Sequence, residues 1–310
     1  MDVEAAQGKP AQQVARAVAT ELAAAGIAHA APDARWLIAA RTGVDPHRYP
    51  LRLLPAERLP DLAEAVARRV AREPLQLIVG TTSFRGIELA CRHGVFIPRP
   101  ETEVVAGAAI EAALAAPLAD AGRGRRRLVD VGTGTGAIAC ALAVEVPHAD
   151  IVATDADAAA VDLARTNVAR VRAGDAAVPG VADSTTVAVV QGDLLAAVDP
   201  AWRGHLDVLV ANPPYLPDVD RETWEPEVRD HDPHAALIGG PDGHEVVEAL
   251  LHLAISWLRP GGSVVVEIDE RRSAEAQRAA HTAGLVEVTL LADLAGASRA
   301  VVARRPGSLA

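Results

Sequence analysis

Residues Asn212-Pro213-Pro214-Tyr215 carry the strongest chemical signal in this chain. They close an apolar run, Leu206-Asp207-Val208-Leu209-Val210-Ala211, that reads as a buried strand. Proline has no N–H for a sheet ladder, so pairing stops there and backbone carbonyls are left free. Free carbonyls beside the Asn212 carboxamide make an acceptor set for a planar NH2 group. Tyr215 adds an aromatic face. The chemistry indicated is work on nitrogen.

A second constellation lies upstream. Leu128-Val129-Asp130-Val131 runs into Gly132-Thr133-Gly134-Thr135-Gly136, and Ala137-Ile138-Ala139-Cys140-Ala141-Leu142 resumes as a helix. Alternate glycines permit a tight turn and close approach of backbone to a ligand. The spacing is G-x-G-x-G, not the dinucleotide G-x-G-x-x-G, so an NAD-dependent dehydrogenase fits less well. No Gly-Lys-Ser/Thr follows, which excludes a P-loop. Asp155 ends the next strand, where a carboxylate suits a ribose diol. Its bland alternative is a cap for the helix opening near Ala158. Asp193 and Leu194 follow the third strand, where Asp193 or its backbone can meet an adenine amino group. Asp130 favours a cationic ligand over a pyrophosphate. These features together point to S-adenosylmethionine. The expected binding set is Asp130, Gly132, Thr133, Gly134, Thr135, Gly136, Asp155, Asp193, Leu194 and Asn212.

Such sites need strand ends to hold them. Strands are expected over 128–131, 150–154, 187–191, 206–211 and 263–267, with helices between them and a last strand pair over 286–291 and 300–303. Alternation of this kind means a parallel sheet with helices on both faces. Upstream, Val14, Val18, Leu22 and Ala25 recur at helical spacing, ending at Gly26. Further helices are expected from Pro32-Asp33 to Gly43 and over 59–70. Residues 1–74 therefore read as a small helical domain. Residues 75–103 read as a hairpin, with arms at 77–80 and 84–89, and a linker through Phe96-Ile97-Pro98-Arg99-Pro100-Glu101-Thr102-Glu103. Thr102 or Glu101 then opens a helix. Residues 104–310 form the sheet domain, with 173–186 a polar surface loop.

Composition narrows the function. The 310 residues are 50% hydrophobic but only 3% aromatic, so the cores are built from small aliphatics. A net charge of -11 argues against nucleic acid as the main partner, because phosphate binding draws on Lys and Arg. Arg123, Arg125, Arg126 and Arg127 form the densest basic cluster and read as a solvated loop. Cys91 and Cys140 are far apart, which excludes a disulfide scaffold and a zinc site. Asp230, His231, Asp232 and His234 show no metal spacing, and no metal is expected. There is no apolar signal core and no membrane-length apolar run, so a cytoplasmic protein is expected.

At this point the chain resembles a known family, the bacterial release factor glutamine methyltransferases, or protein-(glutamine-N5) methyltransferases. The resemblance rests on residues 130–139, on Phe96–Glu103, on Asn212-Pro213-Pro214-Tyr215, on Arg72-Glu73-Pro74-Leu75-Gln76-Leu77-Ile78-Val79-Gly80 with Phe84-Arg85-Gly86, and on Asp293-Leu294-Ala295-Gly296 with Arg299. It departs after the fifth strand, where the family has Glu-(Ile/His)-Gly and this chain has Glu267-Ile268-Asp269-Glu270-Arg271-Arg272. The resemblance implies an α/β Rossmann-like class I methyltransferase sheet behind a helical substrate-recognition domain. It also implies methylation of the glutamine of the Gly-Gly-Gln motif in peptide chain release factors. Asn212, Pro213 and Tyr215 are then the catalytic set, with Pro214 completing the substrate-binding loop. Two other readings remain. The Asn-Pro-Pro-Tyr motif is shared with amino-methyltransferases acting on adenine and guanine, against which the acidic charge weighs. A silent binding module with the same fold is the other, against which the intact motifs weigh.

Overall fold

The computed structural model describes residues 1–116, 124–174, 181 and 184–307. Arg123 and most of the expected loop at 173–186 lie outside the described residues. In chain order the helices are α1 Val3–Ala6, α2 Ala11–Ala24, α3 Ala30–Thr42, α4 Leu59–Val70, α5 Leu75–Val79, α6 Thr102–Ala115, α7 Ala137–Glu145, α8 Ala158–Ala173, α9 Pro226–His231, α10 Glu245–Trp257 and α11 Ser273–Thr282. The strands are β1 Thr81–Phe84, β2 Ile87–Ala90, β3 Arg126–Val131, β4 Ala149–Asp155, β5 Thr186–Gln191, β6 Leu206–Ala211, β7 Leu258–Glu267, β8 Val286–Ala292 and β9 Ser298–Arg304.

The chain forms two compact units. The first is Met1–Thr81 together with Glu225–His231; the second is Thr82–Trp224 with Asp232–Ala310. The first unit is a helical cluster. Val14, Val18 and Leu22 of α2 meet Ala34, Leu37 and Ile38 of α3 and Leu62 and Val66 of α4 in one core. α3 starts before Pro32, which sits in the first turn, where a missing N–H costs nothing. Arg69 is buried and donates from Nε to Asp33 Oδ2 at 2.8 Å and from Nη1 to Glu227 Oε1 at 3.1 Å. Arg72 closes the other side of Glu227 at 2.6 Å. Burial alone would raise the Glu227 carboxyl; the hydrogen bonds from Arg72 and Arg69 overcome it and hold the group below its ordinary range.

One sequence expectation is corrected here. Residues 77–79 are not a hairpin arm but part of α5. Pro74 opens that turn, and Gly80, at φ 89°, ends it in the left-handed conformation. The hairpin is β1–β2, displaced along the chain. Its two-residue turn, Arg85-Gly86, has φ 47° and 76°, the all-positive pattern that matches strand twist.

The second unit is built on a seven-stranded sheet of order β5-β4-β3-β6-β7-β9-β8. β5, β4, β3, β6 and β7 run parallel, and β9 is antiparallel to both β7 and β8. The core cluster on one face includes α6, α7 and α8; that on the other includes α10 and α11. β6 is buried at every residue, as a central parallel strand must be. α7 is almost entirely buried because alanines let it sit close to its neighbours. The chain order reverses between β3 and β6, the point where open α/β sheets bind ligands. Register decides which residues meet there. Val131 pairs with Thr154 and Ala211, and Ala211 pairs with Val266. Gly132, Asp155, Asn212 and Glu267 therefore leave four adjacent strands on one row.

Candidate active site

The glycine loop leaves β3 and is tied to β4. Gly132 and Thr133 both donate from their backbone N–H to the Thr154 carbonyl, at 2.8 and 2.9 Å. Gly132, Gly134 and Gly136 have φ 69°, 55° and 83°, a left-handed path open to glycine. Asp130 lies behind this loop, not in front of it. It is fully buried, and its Oδ2 accepts from Thr133 Oγ1 at 2.6 Å and from Ala139 N at 3.1 Å. Burial pushes its carboxyl up to about 7, against the pull of those two bonds. Its work is to brace the turn.

Asp155 caps no helix; Asp157 does, accepting from Ala159 N at 2.6 Å. Asp155 instead takes Gly134 N on Oδ2 at 2.9 Å and Asp157 N on Oδ1 at 3.0 Å. Burial raises its carboxyl, and each oxygen keeps a second lone pair for a hydroxyl donor. Past β5, Gly192 donates to the Asp155 carbonyl at 2.9 Å. A Cβ on Gly192 would lie 2.4 Å from Ala197 Cβ, so nothing larger fits that turn. Leu194 sits at φ 49°, and its carbonyl accepts from Thr154 Oγ1 at 2.8 Å.

These elements enclose a cavity of about 280 Å³. Its wall includes Gly132, Thr133, Gly134, Thr135, Asp155, Asp193, Leu194, Asn212, Pro213 and Pro214. Asp130 and Gly136 are absent from it; both support the loop from behind. The wall also holds Phe96, Pro98 and Thr102 from the segment that sequence reading treated only as a linker. The signal was present, since Phe96–Glu103 is a motif in its own right. Arg99 stacks its guanidinium 5.0 Å from the Phe96 ring centre and pairs with the buried Asp232. Asp232 is thus engaged with Arg99, and among the described residues no three or more His, Cys, Asp or Glu are arranged to hold a metal ion. The donor set fits a cationic nucleoside: a carboxylate for hydroxyls, backbone amides, apolar side chains and no cationic phosphate clamp.

A second, small space of about 20 Å³ adjoins the cavity, lined by Phe96, Asn212, Pro213, Tyr215, Leu216, Ala236 and Leu237. Asn212, Pro213, Phe96 and Ala236 border both spaces. The Asn-Pro-Pro-Tyr loop is clamped from outside: Leu216 N donates to the Leu237 carbonyl at 2.8 Å, and Gly239 N to the Leu216 carbonyl at 3.1 Å. A Cβ on Gly239 would meet the Pro214 oxygen at 2.4 Å. Asn212 Nδ2 donates to Thr102 Oγ1 at 3.1 Å, and Tyr215 Oη to Glu267 Oε1 at 3.2 Å. Burial, followed by the neighbouring Glu267, raises the Tyr215 phenol above its ordinary range. The Asp269–Arg272 departure forms a turn in which Arg271 bridges Asp269 and Asp220. No helix among the described residues is long and apolar enough to cross a membrane.

Comparison with known proteins agrees with this architecture. The PrmC N-terminal domain family matches residues 13–80, and the Methyltransferase small domain family matches residues 111–224. A release factor glutamine methyltransferase of Mycobacterium tuberculosis is 39% identical over 299 residues, covering 93% of this chain and 89% of the relative. Its counterpart in Mycolicibacterium smegmatis is 40% identical, covering 93% and 95%. Among solved structures, the catalytic domain of human Mettl16 in complex with a 3′UTR hairpin is 16% identical, with TM-score 0.51 over 78% of this chain and 82% of that one, a likeness of fold. With a methyltransferase sheet, a glycine loop facing an Asn-Pro-Pro-Tyr loop, and near-full-length relatives at this identity, the chain belongs to the release factor glutamine methyltransferase family.

Proposed function

We propose that this chain transfers a methyl group from S-adenosylmethionine to the side-chain amide nitrogen of the glutamine in the Gly-Gly-Gln motif of peptide chain release factors. The observation that carries the proposal is the small space beside the main cavity, bordered by Asn212, Pro213 and Tyr215. It has the size of one small polar group. S-adenosylmethionine supplies an electrophilic methyl group when bound. Asp155 would accept from its ribose hydroxyls, Asp193 and Leu194 would border its adenine, and residues 132–136, braced by Asp130, would bring backbone amides close.

An amide nitrogen is a poor nucleophile because its lone pair is delocalised into the carbonyl. Asn212 Oδ1 and the Pro213 carbonyl accept its two N–H bonds and turn the nitrogen toward the main cavity. Fixing reactants in this way contributes roughly 7–11 kcal/mol. The same acceptors stabilise positive charge developing on nitrogen. Tyr215 packs against the amide plane, and Pro214 stiffens the loop. Neither Asn212 nor Pro213 is a base, so the surplus proton passes to water. Residues 1–74 serve as the recognition domain for the release factor, 75–103 as hairpin and linker, and 104–310 as the methyltransferase domain. The protein works in the cytoplasm, where its substrates are, without binding nucleic acid directly.

The test is mass spectrometry of a release factor incubated with the enzyme and cofactor. One added methyl on the Gly-Gly-Gln glutamine is expected. Label from the cofactor appearing only in added RNA would overturn the reading.

A further inference from the structure

The loop between α3 and α4 carries groups that methyl transfer does not use. Tyr49, Leu51 and Leu53 are 41%, 79% and 56% exposed. Arg48 and Arg52 hold their guanidinium carbons 5.5 and 5.7 Å from the centre of the Tyr49 ring. Acidic residues outnumber Lys and Arg in this chain by 41 to 30. Even so, among the described residues no carboxylate pairs with Arg48 or Arg52. The acid of the same loop is engaged elsewhere. Asp45 accepts from Arg35 Nε and Nη2 at 3.0 and 2.9 Å and from His47 N at 2.8 Å.

The backbone beneath these side chains is fixed. Pro10 gives α2 no side-chain cap. Ala11 and Gln12 instead donate their N–H groups to the carbonyls of Arg52 and Pro50, at 2.8 and 3.0 Å, and Leu53 bridges to Pro10. Val44 and Leu54 anchor the loop in the helical core. They supply its burial, so packing asks nothing of Leu51 and Leu53. Single exposed leucines are ordinary. Two of them on a fixed backbone, beside a tyrosine and two unpaired arginines, make a preorganised patch of the kind that binds protein. The two like charges held at one ring favour carboxylates from a partner. The leucines favour a protein surface over a phosphate backbone, as does the acidic charge of the chain. We infer that Arg48, Tyr49, Leu51, Arg52 and Leu53 dock a patch of the release factor in which carboxylates surround apolar side chains. This rests on the release factor being the substrate, as proposed above.

None of these residues lines either space at the candidate active site. Docking should therefore appear in KM and not in the chemical step. The double variant Arg48→Glu/Arg52→Glu is expected to raise KM for intact release factor at least about tenfold. Its kcat, its melting temperature and its rate on a short Gly-Gly-Gln peptide should match wild type. Added salt should weaken wild-type binding to release factor, measured by calorimetry, more than binding by the double variant. Leu51→Ser/Leu53→Ser should weaken binding at low and high salt alike. A wild-type KM in both double variants overturns the inference, as does an equal loss of rate on the short peptide. Loss of binding to total RNA with KM for release factor unchanged also overturns it and assigns the patch to nucleic acid. Wild-type enzyme that leaves the release factor glutamine unmethylated takes down the proposed reaction. Normal wild-type methylation with unchanged variants takes down this inference alone.

Discussion

Gly132 and Asn212 face one another across the seam between β3 and β6: a side chain on Gly132 would begin 3.8 Å from the Asn212 carbonyl oxygen. The glycine loop and the Asn-Pro-Pro-Tyr loop are thus neighbours by strand register, through the Val131–Ala211 rung. In the proposed reaction, the methyl group crosses between two adjacent strand ends.

Replacing Asn212 by alanine removes an acceptor from the small space but little of the large cavity. Methylation of release factor is expected to fall about 100- to 1,000-fold, the scale for losing one preorganised polar group. Cofactor affinity by calorimetry should be nearly unchanged. Turnover near wild type would sink the role assigned to Asn212.

Asp155→Asn keeps the shape and loses the charge. Hydrogen bonds to charged groups contribute about 1.5–3 kcal/mol each, so cofactor affinity should drop at least about tenfold. The rate at saturating cofactor should change far less. An unchanged dissociation constant would place the ribose elsewhere.

Gly192→Ala tests the turn after β5. The added Cβ would lie 2.4 Å from Ala197 Cβ, so the turn must shift. Overpacking of this kind costs about 1–3 kcal/mol. Both the melting temperature and cofactor affinity should fall, because Asp193 and Leu194 move with the turn.

Arg69→Met in the helical unit leaves Asp33 facing no guanidinium and Glu227 with one fewer. Breaking a buried pair this way costs about 3–5 kcal/mol. Denaturant unfolding reads the loss directly. A change under about 1 kcal/mol would assign the pair to the solvated class.

Asp130 gives a pH signature. Its carboxyl is pushed up to about 7 in the fold from an ordinary value of 3.8. An acid raised in the fold favours the folded state when protonated. Its contribution is complete below the unfolded value and is lost as pH rises through the folded one. Between about pH 4 and 7, wild-type stability should therefore decline relative to Asp130→Asn. Parallel pH profiles of the two proteins would contradict the burial argument.

What could be read from the sequence was local. β6 and α4 announce themselves by hydrophobic patterning and keep the expected limits, 206–211 and 59–70. The glycine loop and the Asn-Pro-Pro-Tyr loop are legible because glycine and proline dictate backbone path within a few residues. Residues 77–79 misled because a short apolar run suits strand and helix alike, and the flanking Pro74 and Gly80 held the answer. Asp130 misled because a residue preceding a ligand loop can face either way along the sheet. Thr102, Phe96 and Glu267 joined the site only through contacts between stretches far apart in the chain, such as Thr102 with Asn212 and Glu267 with Tyr215, which no local pattern encodes.

Glu225–His231 is encoded between β6 and β7 yet belongs to the helical unit, where Glu227 completes the pairing of Arg69 and Arg72. The helical unit is therefore not a cassette. Two distant stretches of gene must be inherited together, and grafting residues 1–81 from one relative onto another transplants only part of a module.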